Sequence, residues 1–108
     1  MTVQQLANDC QFNILCCPEP EREVNGAYIG DLLSWVMGRA NADNVWITIM
    51  SNINVIAVAS LSDVSCVLLA EDVTLESDVL KTANEKGINI LSTSLAAYEA
   101  AIKISGMI

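Results

Sequence analysis

Residues 45–70, VWITIMSNINVIAVASLSDVSCVLLA, read as strand, polar turn, helix and strand inside one continuous apolar block. Val45-Trp46-Ile47-Thr48-Ile49 is rich in β-branched and aromatic residues with little polar alternation, the pattern of a strand covered on both faces. Ser51-Asn52-Ile53-Asn54 interrupts it with turn and capping chemistry. Val55 to Leu61 then carries apolar residues on every side, and Cys66-Val67-Leu68-Leu69 is a second short apolar run. Together they predict a buried β-α-β crossover, which puts a parallel strand pair at the centre of the fold.

Outward from that block, Thr2-Val3-Gln4-Gln5 has the form of a capping box, and Val3, Leu6, Ala7 and Cys10 share one helical stripe. Phe12 to Cys16 reads as a first strand. Pro18-Glu19-Pro20-Glu21-Arg22-Glu23 must leave regular structure and is expected to be the most exposed, solvated segment. Val24 to Ile29 reads as a strand, with Gly30-Asp31 as the cap of a helix from about Asp31 to Ala40. Leu75 to Lys86 shows a single stripe of Leu75, Val79, Leu80 and Ala83, with Gly87 just past its end. Ile88 to Ser92 is the last strand, and Thr93 or Ser94 is expected to cap a helix from Leu95 to about Ile104 with Leu95, Tyr98 and Ile102 inward. Strands alternating with helices through short loops predict a single domain, residues 1–108, of three-layer α/β/α class with a mainly parallel sheet; strand order stays open.

Composition narrows function mostly by exclusion. In 108 residues, 53% hydrophobic but only 5% aromatic, the core must be Val, Ile, Leu and Ala. The net charge of −8 would repel nucleic acid and anionic lipid alike, so neither is expected as a partner. The start MTVQQLANDCQ lacks the basic and apolar regions of a signal peptide, and no apolar run is long enough to span a bilayer, so a cytoplasmic location is expected. The chain contains no histidine, which excludes Ser-His-Asp and Cys-His nucleophilic sites. Neither G-x-x-x-x-G-K-[ST] nor a G-x-G-x-x-G after a strand is present. Cys10, Cys16, Cys17 and Cys66 have no C-x-x-C spacing and are expected to be reduced thiols without metal. No catalytic residues, metal or cofactor are assigned.

Ligands of open parallel sheets bind beyond the carboxyl ends of the strands. Those ends here carry Ser51, Asn52 and Asn54, then Glu71 and Asp72, then Ser92 and Thr93, which are the candidate ligand-binding residues. The competing reading is that these side chains cap the following helices, and Glu71-Asp72 in particular suits capping or solvation. The helices Asp31 to Ala40 and Ile53 to Leu61 are too apolar for one sheet face, so a homodimer is expected, with Trp35, Val36, Val55 and Val58 as candidate interface residues; the rival is that the N-terminal helix, with Val3 and Leu6, folds over one of them.

The runs NGAYIGDLLSWVMGRA (25–40), VWITIMSNINVIAVASLSDVSCVLLAEDV (45–73) and EKGINILSTSLAAYEAA (85–101) resemble the DRTGG domain family, in its short stand-alone form, over nearly the whole chain. The naming pentapeptide itself is absent; the loop in its place is Met50-Ser51-Asn52-Ile53-Asn54, without arginine. The resemblance implies a fold similar to the N-terminal domain of HPr kinase/phosphorylase. It also implies a regulatory or ligand-binding role of the kind found beside CBS or phosphotransacetylase domains, and association of subunits. The reading that follows is a non-catalytic module that senses a small molecule or docks a protein partner. The alternatives are a small enzyme using the polar strand ends and a purely structural subunit.

Overall fold

A computed structural model describes residues 1–108. The chain runs α1 (Val3–Cys10), β1 (Asn13–Cys16), β2 (Gly26–Ile29), α2 (Leu33–Arg39), β3 (Asn44–Thr48), α3 (Asn54–Ser62), β4 (Cys66–Leu69), α4 (Ser77–Glu85), β5 (Ile90–Ser92) and α5 (Ala97–Ser105). The five strands form one sheet in the order β1-β5-β4-β3-β2. β2, β3, β4 and β5 are parallel neighbours, and β1 closes the far edge antiparallel to β5.

Every residue of β3 and β4 is buried, so both faces of this pair need cover. Alternation divides the work. Val45, Ile47, Cys66, Leu68 and Leu91 point to the face covered by α1 and α5, where Val3, Leu6, Ala7, Cys10, Ala100 and Ile104 meet them. Trp46, Val67, Leu69 and Ile90 point to the other face and pack under α2, α3 and α4 through Val36, Val55, Ile56, Val58, Ala59, Val79 and Ala83. The three crossovers β2-α2-β3, β3-α3-β4 and β4-α4-β5 all step the same way along the sheet, which puts their helices on one face.

Trp46 is fully buried, and its indole N–H must find an acceptor. It donates to the carbonyl of Gly30 at 2.8 Å, tying the end of β2 to the centre of the sheet. A Cβ on Gly30 would lie 2.8 Å from the Tyr28 ring, so the glycine lets the chain turn close over that ring. Asn89, also buried, donates to the carbonyls of Glu19 and Ser65 at 2.8 and 2.9 Å and accepts from the Glu19 amide at 2.9 Å.

The fold departs from several of the patterns expected of the sequence. Val36, Val55 and Val58 lie in the chain's own core, because α2 and α3 turn those residues to the sheet and to one another; they form no outer surface. Trp35 remains exposed, with the Arg39 guanidinium 3.7 Å from its ring centroid. Asp31 does not cap α2. Its carboxylate instead accepts from Thr48 Oγ1 and the Ile49 amide at 2.8 and 3.0 Å, fastening the end of β3. α5 starts at Ala97 without a side-chain cap and buries Ala100 and Ile104, leaving Tyr98 and Ile102 outside. The proline-rich segment is not a free connector: Arg22 pairs with Asp43 and Asp63 at 3.1 and 2.6 Å, and the carbonyls of Pro20 and Arg22 accept from Gln4 and Val3. The capping box of α1 and the positive φ of Gly87, 75°, are as the spacing predicts.

Replacing Trp46 with Phe removes the indole donor, orphans the Gly30 carbonyl and leaves a void. It should cost about 2–4 kcal/mol of unfolding free energy in urea titration, against well under 1 kcal/mol for Trp35→Phe. Equal effects at the two positions would contradict this packing.

Candidate functional site

The carboxyl ends of β3, β4 and β5 lie side by side, so the three polar loops anticipated from sequence share one end of the sheet. They do not form one crevice. Glu71 and Asp72, both at positive φ of 58° and 59°, donate their amides to the carbonyls of Leu95 and Thr93 at 2.9 Å each. Ser92 and Thr93 are buried, and Thr93 Oγ1 accepts from the Leu95 amide at 3.2 Å. These residues stitch the β4-α4 loop to the β5-α5 loop. Carboxylates read from sequence as capping or solvated are exposed here and sit on a left-handed turn.

Beside that seam lies a cleft of about 730 Å³ between the first turns of α3 and α4, lined by Ser51, Asn52 and Ile53 and by Thr74, Leu75, Glu76, Asp78 and Val79. Of the anticipated residues, Ser51 and Asn52 line it. Asn54 lies in an outer groove of about 430 Å³ between α3 and α4, and Glu71, Asp72, Ser92 and Thr93 line neither. Thr74, Glu76 and Asp78 were not picked out in advance, because the loop after β4 is longer than its first two acids suggest and α4 begins only at Ser77.

The polar chemistry of the cleft is specific. Asn52 Oδ1 accepts from the Asn54 amide at 2.9 Å and its carbonyl accepts from Val55, so the start of α3 is satisfied from within. α4 has no side-chain cap from its N-cap residue Glu76, although Asp78 Oδ1 accepts from the Val79 amide at 2.9 Å. The cleft therefore offers the Ser51 and Thr74 hydroxyls, the Asn52 amide group and two carboxylates, with no Lys or Arg in its lining. Such a surface accepts hydrogen bonds more than it donates them and disfavours a polyanion.

Nowhere do three or more potential metal-ligating side chains converge. The groups whose pKa the fold displaces are the four cysteines and Arg22. Burial pushes all four thiols up, Cys66 from 9.0 to about 12. For Arg22, burial lowers the pKa, but hydrogen bonds to Asp63 and Asp43 outweigh it and the net shift is upward.

The model of the DRTGG domain matches residues 5–107. The chain belongs to the DRTGG domain family. Among solved structures, the CBS and DRTGG domains of the regulatory region of Clostridium perfringens pyrophosphatase, complexed with the activator diadenosine tetraphosphate, superpose with a TM-score of 0.71 at 13% identity. The match covers 95% of this DRTGG chain and 45% of that one, so the present chain spans less than half of its relative's length. No curated protein sequence matches. The shared fold places the cleft in a DRTGG domain whose loop after β3 reads Met50-Ser51-Asn52-Ile53-Asn54. No helix is long and apolar enough to cross a membrane.

The thiols give a pH signature. Their folded pKa values lie above the ordinary 9.0, so the native state holds protons that the unfolded chain releases. Stability should be unaffected by this effect below about pH 9 and should fall as pH rises from there towards about 12, and Cys66→Ala should flatten that alkaline loss. Urea midpoints at successive pH values check it; an unchanged slope in Cys66→Ala would contradict the burial of that thiol.

Proposed function

We propose that this DRTGG chain is a non-catalytic, cytoplasmic regulatory module that reads a small polar molecule in the cleft between α3 and α4. The observation that carries the reading is the cleft's position and lining: it opens where ligands of parallel sheets bind, and it is walled by hydroxyl, amide and carboxylate groups on the ends of rigid elements. Its two carboxylates have no histidine, thiol or cation beside them in the lining, which supports binding over acid-base or nucleophilic chemistry. Membership of the DRTGG family supports the same class of role, since the structurally similar pyrophosphatase domains belong to a regulatory region.

The lining favours a ligand that brings hydrogen-bond donors or positive charge, such as a nucleoside or an amine. The pyrophosphatase region was complexed with diadenosine tetraphosphate, so dinucleoside polyphosphates belong in the same test. Here their phosphates would face Glu76 and Asp78 unless a cation or a second chain supplied positive charge.

A thermal-shift panel of nucleosides, amines, nucleotides and dinucleoside polyphosphates checks the proposal. A true ligand at a hundred times its Kd should stabilise by about 2.7 kcal/mol. Ser51→Trp, which fills the cleft from an exposed position, should abolish that shift without changing the unliganded midpoint, and Glu76→Lys should move preference towards anions. Turnover of any bound compound, or a shift that survives Ser51→Trp, would overturn it.

A further inference from the structure

The two edges of the sheet are treated very differently. β1 carries a bulge between Ile14 and Cys16 and runs into Pro18 and Pro20, devices that discourage another strand from adding. β2, Gly26-Ala27-Tyr28-Ile29, ends the sheet on the other side with no bulge, proline or charge. One side of its backbone is paired with β3, and the other has no strand beside it.

The surroundings of that open edge are apolar. On one face, α2, the crossover from β2 to β3, lies over the β2 end of the sheet; it buries Val36 and leaves Leu32 and Trp35 exposed, with Arg39 over the Trp35 ring. On the other face, Ala27 and Ile29 with Ala101, Ile104, Ser105 and Ile108 line a groove of about 360 Å³ between β2 and α5. Only two helices cover the sheet there, against three on the opposite face, and β2 is left half-covered. Ile29, Leu32, Trp35, Tyr98 and Ile108 are 50%, 59%, 53%, 73% and 42% exposed. At on the order of 100 Å² each, they supply roughly 500 Å² of apolar surface, most of the ~800 Å² that one partner contributes to a stable interface.

Charge selects the occupant. The chain carries −8 overall, yet residues 24–42 contain only Asp31 and Arg39 and residues 97–108 only Glu99 and Lys103, so each segment is neutral. Two copies would repel across the rest of their surfaces and can meet here with no net opposing charge. A basic partner would be drawn elsewhere, to the acidic surface. We propose that two copies of this chain associate through β2, the strands pairing antiparallel across a two-fold axis so that the sheet continues from one subunit into the other. Leu32 and Trp35 then meet their counterparts on one side of the seam, and the groove between β2 and α5 is closed on the other. This rests on the β2 edge and its apolar surroundings and is independent of what the α3-α4 cleft binds.

Sedimentation equilibrium of the full chain at micromolar concentration tests it, with circular dichroism of each variant. The wild type should have a dimer mass. Ile29→Lys, which places a charge at the seam, should be a folded monomer, whereas Leu61→Lys, exposed on the outer side of α3, should remain a dimer. The wild type supplies a second readout: amide exchange at Ala27 and Ile29 should slow by about tenfold or more as concentration rises through the dissociation constant. A monomer mass, an open-ended polymer, or a dimer lost in Leu61→Lys but kept in Ile29→Lys would overturn the proposal. If Ile29→Lys fails to fold, concentration-independent exchange at those two wild-type amides overturns it instead.

Discussion

Burial of β3 and β4 on both faces is the constraint from which the rest of this structure follows. A parallel pair with no solvent-facing side needs helices above and below it, and parallel strands need crossovers that span the sheet. The chain meets both demands together: its three crossover helices cover one face, and the helices at its two ends, α1 and α5, cover the other. With so few aromatics, density comes from interdigitated Val, Ile, Leu and Ala around one large side chain, Trp46.

Polar groups inside that core decide how the periphery is held. The Trp46 indole fixes the Gly30 turn, and Asp31 beside it holds Thr48 and Ile49, so the end of β2 is anchored to β3 by a side chain from β3 and one from the turn after β2. At the opposite end of the sheet, Asn89 binds the backbone of Glu19 and Ser65, and Ser65 Oγ donates to the Glu23 carbonyl. The segment from Pro18 to Glu23 is thereby ordered despite its exposed acids. The Trp46 and Asn89 donors are themselves buried, which is why these contacts matter more than the surface ion pairs.

Much of this was legible from sequence, and each failure has its own physical cause. β4 reads from Cys66 to Leu69 because it is uniformly apolar and bounded by polar residues, and α1 reads from its stripe and its Thr2/Gln5 capping box. α2 and α3 do not reveal which apolar side faces the sheet, since a helix apolar all round carries no directional signal; hence Val36, Val55 and Val58 were assigned outward and lie inward. α5 was misaligned because Thr93 resembles a cap, whereas its hydroxyl and backbone are used in the seam with Glu71 and Asp72. In the cleft, Ser51 and Asn52 follow from the rule that ligands gather at strand ends. Thr74, Glu76 and Asp78 depend on the path of a loop with two successive left-handed residues, which nothing in local spacing announces.

The claim that the double-sided burial of β3 and β4 organises the whole domain is tested most directly by residue-resolved native-state hydrogen exchange. The account predicts that the amides of Trp46, Ile47, Val67 and Leu68 exchange only through global unfolding, with an opening free energy equal to that from denaturant titration, while α1 and β1 open at lower cost. Exchange of the β3 and β4 amides through a partial opening that leaves α1 or β1 protected would contradict it.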